Sequence, residues 1–349
     1  SLPIPKRTTA CSTPTWKKPA ELRPTMKILL PFVLILSANA LASEAPALNI
    51  DESRITASGI SAGSHMAHQM HIAYSDVFSG VAIISGGPWN CADNSLMTAM
   101  GRCMMNTDEP LPVAEFAENI RAQAAAGDLA DPENLADDRV WLFHGTKDSK
   151  ISALVHGAAA ELYAEFIPPG QIHRIDDLET EHVFPAKGRG HGCLEMVSPF
   201  VGDCDYDAAG ELLAYLYPGL VEPVDVVETE LLEVSLPGAD DADLLETAYL
   251  FVPPACADGG ESCPLHLVLH GCAQSAETVG TDFIEQSGYL PWAASNNIVL
   301  AFPQVEKSMV APINPHACWD WWGYTGDDYA TRSGPQMTVL AEWLGSLSQ

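Results

Sequence analysis

Five residues, Gly59-Ile60-Ser61-Ala62-Gly63, constrain this chain more than any other stretch, because of what lies on either side of them. Residues 54–58 alternate apolar and polar side chains as a strand does, and residues 62–74 read as a helix. A serine hydroxyl becomes a usable nucleophile when it stands on a sharp strand-to-helix turn, with glycines two residues either side so that strand and helix can approach closely. Ser61 meets that description, and the competing reading is an ordinary glycine-rich turn.

The elements that follow alternate. Residues 81–85 read as a buried strand, 89–105 as a cysteine-bearing excursion, 112–126 as a helix, 140–145 as a strand ending in a turn with Asp148, and 151–166 as a helix. In the second half, residues 248–252, 265–269 and 298–302 read as strands and 336–347 as a closing helix. No linker, repeat or low-complexity run divides them, so one α/β domain with a mostly parallel central sheet flanked by helices is expected over residues 43–349. In an α/β-hydrolase the strand and His-Gly loop of the oxyanion hole precede the nucleophile, whereas His270-Gly271-Cys272 follows Ser61 by about 200 residues. A circular permutation accounts for this order, with the closing helix leading in space to the strand before Ser61.

Residues 26–42 read as a secretion signal: Lys27, the apolar run 28–36, and small residues at 38–42 for cleavage. Residues 1–25, ahead of Met26, read as untranslated or misassigned leader. No later run approaches the roughly 20 apolar residues of a membrane helix, so a secreted protein without a membrane span is expected, as a monomer. Of the 17 basic and 46 acidic residues, six basic (Lys6, Arg7, Lys17, Lys18, Arg23, Lys27) and one acidic (Glu21) lie in these segments, leaving 11 against 45, a net charge of −34. Such a surface repels phosphate backbones, which excludes nucleic acid as a partner. Eight of the nine cysteines lie in the exported part, Cys11 being in the leader. Close spacing pairs Cys91 with Cys103, Cys193 with Cys204 and Cys256 with Cys263, leaving Cys272 for Cys318. A zinc site lacks its CxxC pair.

Acyl transfer requires a base for Ser61, a carboxylate to hold that base, and donors for an oxyanion. Chain order offers Asp148 as the acid. For the base, His182 and His191 stand open on spacing alone. The backbone N–H groups of Ala62 and Cys272 are the expected oxyanion donors. A Cys272–Cys318 bond would bring Trp319, Trp321 and Trp322 to the mouth of the site as substrate contacts. His65, His68 and His71 read as packing, since HxxH without an intervening Glu is a weak metal signal. Asp203, Asp205 and Asp207 read as solvated acids rather than a calcium loop. Neither GxGxxG after a strand nor a Walker A sequence is present, so no cofactor and no metal are expected.

These blocks together resemble the extracellular polyhydroxybutyrate depolymerases of the single-domain, circularly permuted type. The resemblance runs from about residue 50 onward. It rests on Arg54-Ile55 leading to Gly59–Gly63, His144-Gly145-Thr146-Lys147-Asp148, His182-Val183-Phe184-Pro185, Cys204–Gly210, Leu269–Gln274 and Cys318–Tyr324. It implies His182 rather than His191 as the base, an oxyanion amide at Cys272, and a tryptophan at the crevice. Ala186 stands where the family often has Thr. The implied activity is hydrolysis of poly(3-hydroxybutyrate) or its oligomers through an acyl-enzyme. Rival readings are a feruloyl or acetylxylan esterase and a catalytically silent polymer-binding protein.

The charge has a measurable consequence. Added NaCl screens like charges, so the melting temperature should rise between low salt and about 0.5 M. A flat or falling curve would reduce the acidity to a solubility device.

Overall fold

The computed structural model describes residues 42–106, 108–223 and 230–348. The expected leader, Cys11 and all but the last residue of the expected secretion signal lie outside the described residues. β1 (Ile50–Ile60) leads through Ser61 into α1 (Ala62–Ala73), followed by β2 (Gly80–Ile84), α2 (Leu96–Met100), α3 (Val113–Ala126), β3 (Arg139–Phe143), α4 (Ala153–Tyr163) and β4 (Ile172–Ile175). Three short strands, β5 (Phe184–Ala186), β6 (His191–Gly192) and β7 (Val201–Asp203), precede α5 (Ala208–Leu216). The last part holds β8 (Leu232–Ser235), β9 (Thr247–Phe251), β10 (Cys263–Leu269), α6 (Ala276–Val279), α7 (Asp282–Gln286), α8 (Tyr289–Asn296), β11 (Val299–Phe302) and α9 (Pro335–Leu347).

Eight strands form one sheet in the order β4-β3-β2-β1-β10-β11-β9-β8. All pairings from β4 to β11 are parallel, and β9 runs antiparallel to both its neighbours. Counted from β8, the order reads 1-2-4-3-5-6-7-8 with the second strand reversed, which is the α/β-hydrolase sheet. The chain is therefore circularly permuted, and the joint is visible. Leu48, just ahead of β1, donates its N–H to the carbonyl of Leu347 at the end of α9 (2.9 Å). A small parallel sheet, β5-β7-β6, stands apart from the main one.

The central strands explain their own place. β10 is Cys-Pro-Leu-His-Leu-Val-Leu and β2 is Gly-Val-Ala-Ile-Ile, and every residue of both is buried. A parallel strand covered on both faces needs such a run, because helices pack on each side. One core joins Met66 and Met70 of α1 to Leu162 of α4 and Trp343 of α9, and the other joins Ile60 and Val268 to Leu212 and Leu213 of α5 and Tyr289 of α8. β4 and β8 sit at the sheet edges with half-exposed patterns, so their apolar periodicity is too short to stand out in the sequence.

The interior also holds charge-capable groups. His266 in β10 bonds Thr56 Oγ1 (2.7 Å) and Ser58 Oγ (2.8 Å) of β1, and Ser58 bonds the Tyr289 hydroxyl (2.7 Å). His68 Nδ1 donates to the Gly87 carbonyl (3.1 Å) and His156 Nδ1 to that of Gly86 (3.0 Å), tying α1 and α4 to the loop after β2. Burial pushes His65, His68, His156 and His266 down to about 3 and His270 to about 4.

Native pKa values this low have a defined sign. Each imidazole is neutral in the fold and takes up a proton on unfolding, so its contribution is whole above about pH 6.5 and is lost as pH falls towards 3, with a slope of about 1.4 kcal/mol per pH unit per proton. Exposed carboxylates protonate near pH 4 and relieve mutual repulsion, an effect of opposite sign that begins lower. Between pH 7 and 5 the urea midpoint should therefore drop steeply, and His266→Gln should flatten the slope by nearly one proton. A level midpoint across that window would refute the neutral interior.

Candidate active site

Ser61 is the turn between β1 and α1, and its backbone has φ 57° and ψ −122°, a left-handed conformation rare for a side-chain-bearing residue. Its neighbours make the turn possible. A Cβ on Gly59 would lie 2.1 Å from the Gly63 carbonyl oxygen, and a Cβ on Gly63 would lie 2.2 Å from that of Leu269 and 2.4 Å from that of His270. The helix start thus presses directly on the end of β10 and the loop after it. Ser61 N–H donates to the Ile84 carbonyl (3.0 Å), and Ser64 Oγ donates to the Ser61 carbonyl (2.6 Å).

Asp148 lies on the turn after β3. His182 Nδ1 meets both its carboxylate oxygens, at 3.0 and 2.9 Å. Since a carboxylate only accepts, Nδ1 carries the proton and Nε2 is left as the basic lone pair. Burial would raise the Asp148 carboxyl, but the bond and charge of His182 and the amides of Ile151 and Lys150 outweigh it and hold it at about 2. Asp148 is ionised at any pH above that value. The two segments are registered by backbone: Thr146 N–H donates to the Leu178 carbonyl (2.8 Å) and Lys147 N–H to that of Thr180 (3.1 Å). One oxygen of Glu181 then accepts the N–H groups of both Ser149 (2.7 Å) and His182 (2.8 Å). His191 is exposed in β6 and makes no bond to a carboxylate among the described residues.

The loop after β10 shows which amides are free. Gly271 N–H is taken by Gln274 Oε1 (2.7 Å) and Ala273 N–H by the His316 carbonyl (2.6 Å). Among the described residues the N–H groups of Cys272 and of Ala62, the first residue of α1, have no acceptor. Gln274 Nε2 reaches across to the Pro199 carbonyl (2.8 Å), whose neighbour Phe200 accepts from Phe184 N–H (2.8 Å). The loop after β10 is thus tied to the chain that carries His182. His270 Nε2 accepts the Val305 N–H (3.2 Å), a bond open only to a neutral imidazole. Ser61 Oγ makes no hydrogen bond to His182 in this structure; such contacts are often long before substrate is bound.

Four disulfides join Cys91 to Cys103, Cys193 to Cys204, Cys256 to Cys263 and Cys272 to Cys318, the last with Cα atoms 4.3 Å apart. The tryptophans beyond Cys318 divide. Trp319 is fully buried and donates Nε1–H to the His270 carbonyl (3.0 Å), so it supports the loop after β10 and offers no face to a ligand. The expected contact at Trp319 is corrected accordingly: a polar indole edge found a buried carbonyl. Trp321 is also buried and stacks on His65 (centroids 4.3 Å apart). Trp322 is partly exposed, edge-on to Trp321 and against Tyr324.

The remaining polar motifs have structural partners. His71 bonds Tyr163 and Asp138 inside the fold, and His68 stacks on Tyr163. Asp203 accepts from Gly188 N–H, Asp205 pairs with Lys187, and Asp207 caps α5 while accepting from Trp292. No cluster of three or more His, Cys, Asp or Glu able to hold a metal occurs among the described residues. No helix among them is long and apolar enough to cross a membrane. Glu181, Gln274 and Asp320 were not singled out by sequence; all three act on backbone groups and leave no periodic signal.

Sheet order and serine turn place the chain in the α/β-hydrolase class. No protein-family model matches it. It is 34% identical over 312 residues to a poly(3-hydroxybutyrate) depolymerase of Delftia acidovorans, covering 87% of this chain and 61% of that one. It is 30% identical over 322 residues to a polyhydroxybutyrate depolymerase of Talaromyces funiculosus, covering 88% of this chain and 93% of the relative. Among solved structures, a PHB depolymerase from Penicillium funiculosum superposes with a TM-score of 0.82 at 28% identity, covering 87% of this chain and 98% of that one. A serine-to-alanine PHB depolymerase complexed with an R3HB trimer gives 0.81 at the same identity and coverage. The chain belongs to the polyhydroxybutyrate depolymerase family.

Opening the Cys272–Cys318 bridge tests the support of the oxyanion loop. With the cysteines 46 positions apart in sequence, Cys318→Ser should cost up to about 4 kcal/mol of stability on chain-entropy grounds. It should also lower kcat at temperatures where the variant is fully folded, because Cys272 N–H is no longer fixed. Unchanged kcat in the folded variant would show that the loop holds without the bridge.

Proposed function

We propose that this chain is a secreted serine esterase that cleaves poly(3-hydroxybutyrate) or its oligomers, with residues 43–349 as its one catalytic domain. The observation that carries the reading is the oriented His182–Asp148 pair beside a strained serine turn flanked by two free amides. His182 Nε2 takes the Ser61 proton as Oγ attacks the ester carbonyl, and the amides of Ala62 and Cys272 hold the oxyanion. His182 then returns that proton to the leaving alkoxide, giving an alcohol and an acyl-serine. Water attacks the acyl-serine, losing a proton to His182, and the collapsing intermediate expels Ser61, which recovers the proton. Each step uses groups of this chain.

An uncharged, methyl-bearing polymer calls for exposed apolar side chains, and the described surface carries several. Met97 is 85% exposed on the 91–103 bridged excursion, and Met309 and Val310 are 79% and 73% exposed on the loop leading to Asn314, which holds Cys318. Leu194 and Val197 are exposed between Cys193 and β7. Trp322 adds a partly exposed aromatic face, and burying apolar polymer surface gains about 25 cal/mol per Å².

Three activities decide among the rivals: clearing of a polyhydroxybutyrate suspension, a short p-nitrophenyl ester and a feruloyl ester. Polymer clearing should exceed the feruloyl rate, and Ser61→Ala, Asp148→Asn and His182→Ala should each lower kcat by roughly 10⁴, non-additively. His191→Ala should keep most activity. Preference for the feruloyl ester would make this a plant-ester hydrolase, and failure of a fluorophosphonate to label Ser61 would point to a silent binder.

A further inference from the structure

Asp320 is the most heavily used carboxylate in the described structure that the chemistry above leaves without a task. It is 1% exposed, yet no cation among the described residues pairs with it. Its Oδ1 accepts the N–H groups of Trp322 (3.3 Å), Gly323 (2.7 Å) and Tyr324 (3.0 Å), and its Oδ2 accepts the N–H (2.8 Å) and hydroxyl (2.7 Å) of Thr325. Four consecutive backbone amides and one hydroxyl thus converge on one side chain, and they belong to the loop that presents Trp322. Asp320 is itself fixed to the scaffold. Its N–H donates to Gln336 Oε1 of α9 (2.8 Å), and its carbonyl accepts from Gln69 of α1 (2.9 Å), the helix that begins beside Ser61.

We infer that Asp320 is a positioning residue for substrate specificity: its carboxylate sets the 322–325 loop so that the Trp322 face stands at a fixed place relative to Ser61, where a second hydroxyacid unit of an oligoester packs. This rests on the polyester reading of the site. The geometry assigns the role to a carboxylate and not to an amide. A carboxylate accepts with both oxygens, Oδ2 taking two donors and Oδ1 sharing its two lone pairs among three, whereas Asn offers one oxygen and turns an NH2 group towards donors on the other side. The 322–325 loop would then shift, carrying Trp322 with it. A short ester reaches only the acyl site at Ser61 and depends little on that face.

The experiment compares Asp320→Asn, Trp322→Ala and the double variant on an (R)-3-hydroxybutyrate trimer and on a short p-nitrophenyl ester. Asp320→Asn should raise the trimer KM at least tenfold while kcat on the short ester falls no more than about threefold. The double variant should bind trimer no worse than Trp322→Ala alone, since both remove one contact. If Asp320→Asn does not fold, Thr325→Val, which deletes a single donor, should raise the trimer KM in the same direction by a smaller factor. Multiplying losses in the double variant, equal losses on both substrates, or an unchanged trimer KM in Thr325→Val would overturn the inference and leave the polyester reading standing. A Trp322→Ala variant with unchanged trimer KM would likewise overturn the inference, whereas a wild-type chain that does not hydrolyse the trimer would remove the reading on which it rests.

Discussion

The positions of Ser61 and of both free amides depend on a backbone contact that a side chain would prevent. Gly63 brings α1 so near the end of β10 that a Cβ would fall 2.2 Å from the Leu269 carbonyl oxygen. Gly59 and Gly63 are equally close to one another, so strand, turn and helix interlock at one point. Oxyanion donors act only within about 2.7–3.1 Å of the developing charge. The proposed placement of one donor on α1 and the other on the loop after β10 would therefore demand that these two backbones be held by direct contact. Flexible side chains could not fix the distance as closely.

Asp148 and His182, the proposed acid and base, are aligned by backbone bonds on the far side. The turn 145–147 docks by amide-to-carbonyl bonds on residues 178–180, and Glu181 clamps the residues that follow Asp148 and include His182. Gln274 then links the two halves of the site by spanning from Gly271 to Pro199. Each segment that carries a proposed reacting group is fastened to its neighbour by bonds that end on main-chain atoms, some of them made by the Glu181 and Gln274 side chains. Backbone geometry, not the Ser61–His182 contact itself, pre-arranges the constellation.

Much of this was legible in the sequence for a local reason. The serine turn announces itself by glycine spacing, Asp148 by its place after an apolar strand, and the first three cysteine pairs by short separations. The permuted order was legible because His270-Gly271-Cys272 lies on the wrong side of Ser61 for an unpermuted chain. Spacing left His182 and His191 both open as the base, and the two differ in what surrounds them in space: His182 meets a buried carboxylate. Trp319 misled for the complementary reason. Its ring belongs to the core because Nε1 finds the His270 carbonyl, 49 residues away in sequence. Glu181, Gln274 and Asp320 bind backbone groups, and a carboxylate or amide that does so looks in sequence like any solvated polar residue.

The charge distribution fits the proposed chemistry in one more respect. The interior histidines are held neutral by burial, Asp148 is ionised against His182, and the acidic excess lies largely on the surface. An uncharged polyester neither gains nor loses from such a field as it approaches, so apolar and aromatic contacts decide binding. Hydrolysis changes that, because every cut creates a carboxylate. On that proposed chemistry the strongly negative protein would repel the carboxylate product over about 8 Å at physiological ionic strength, favouring its release after each turnover.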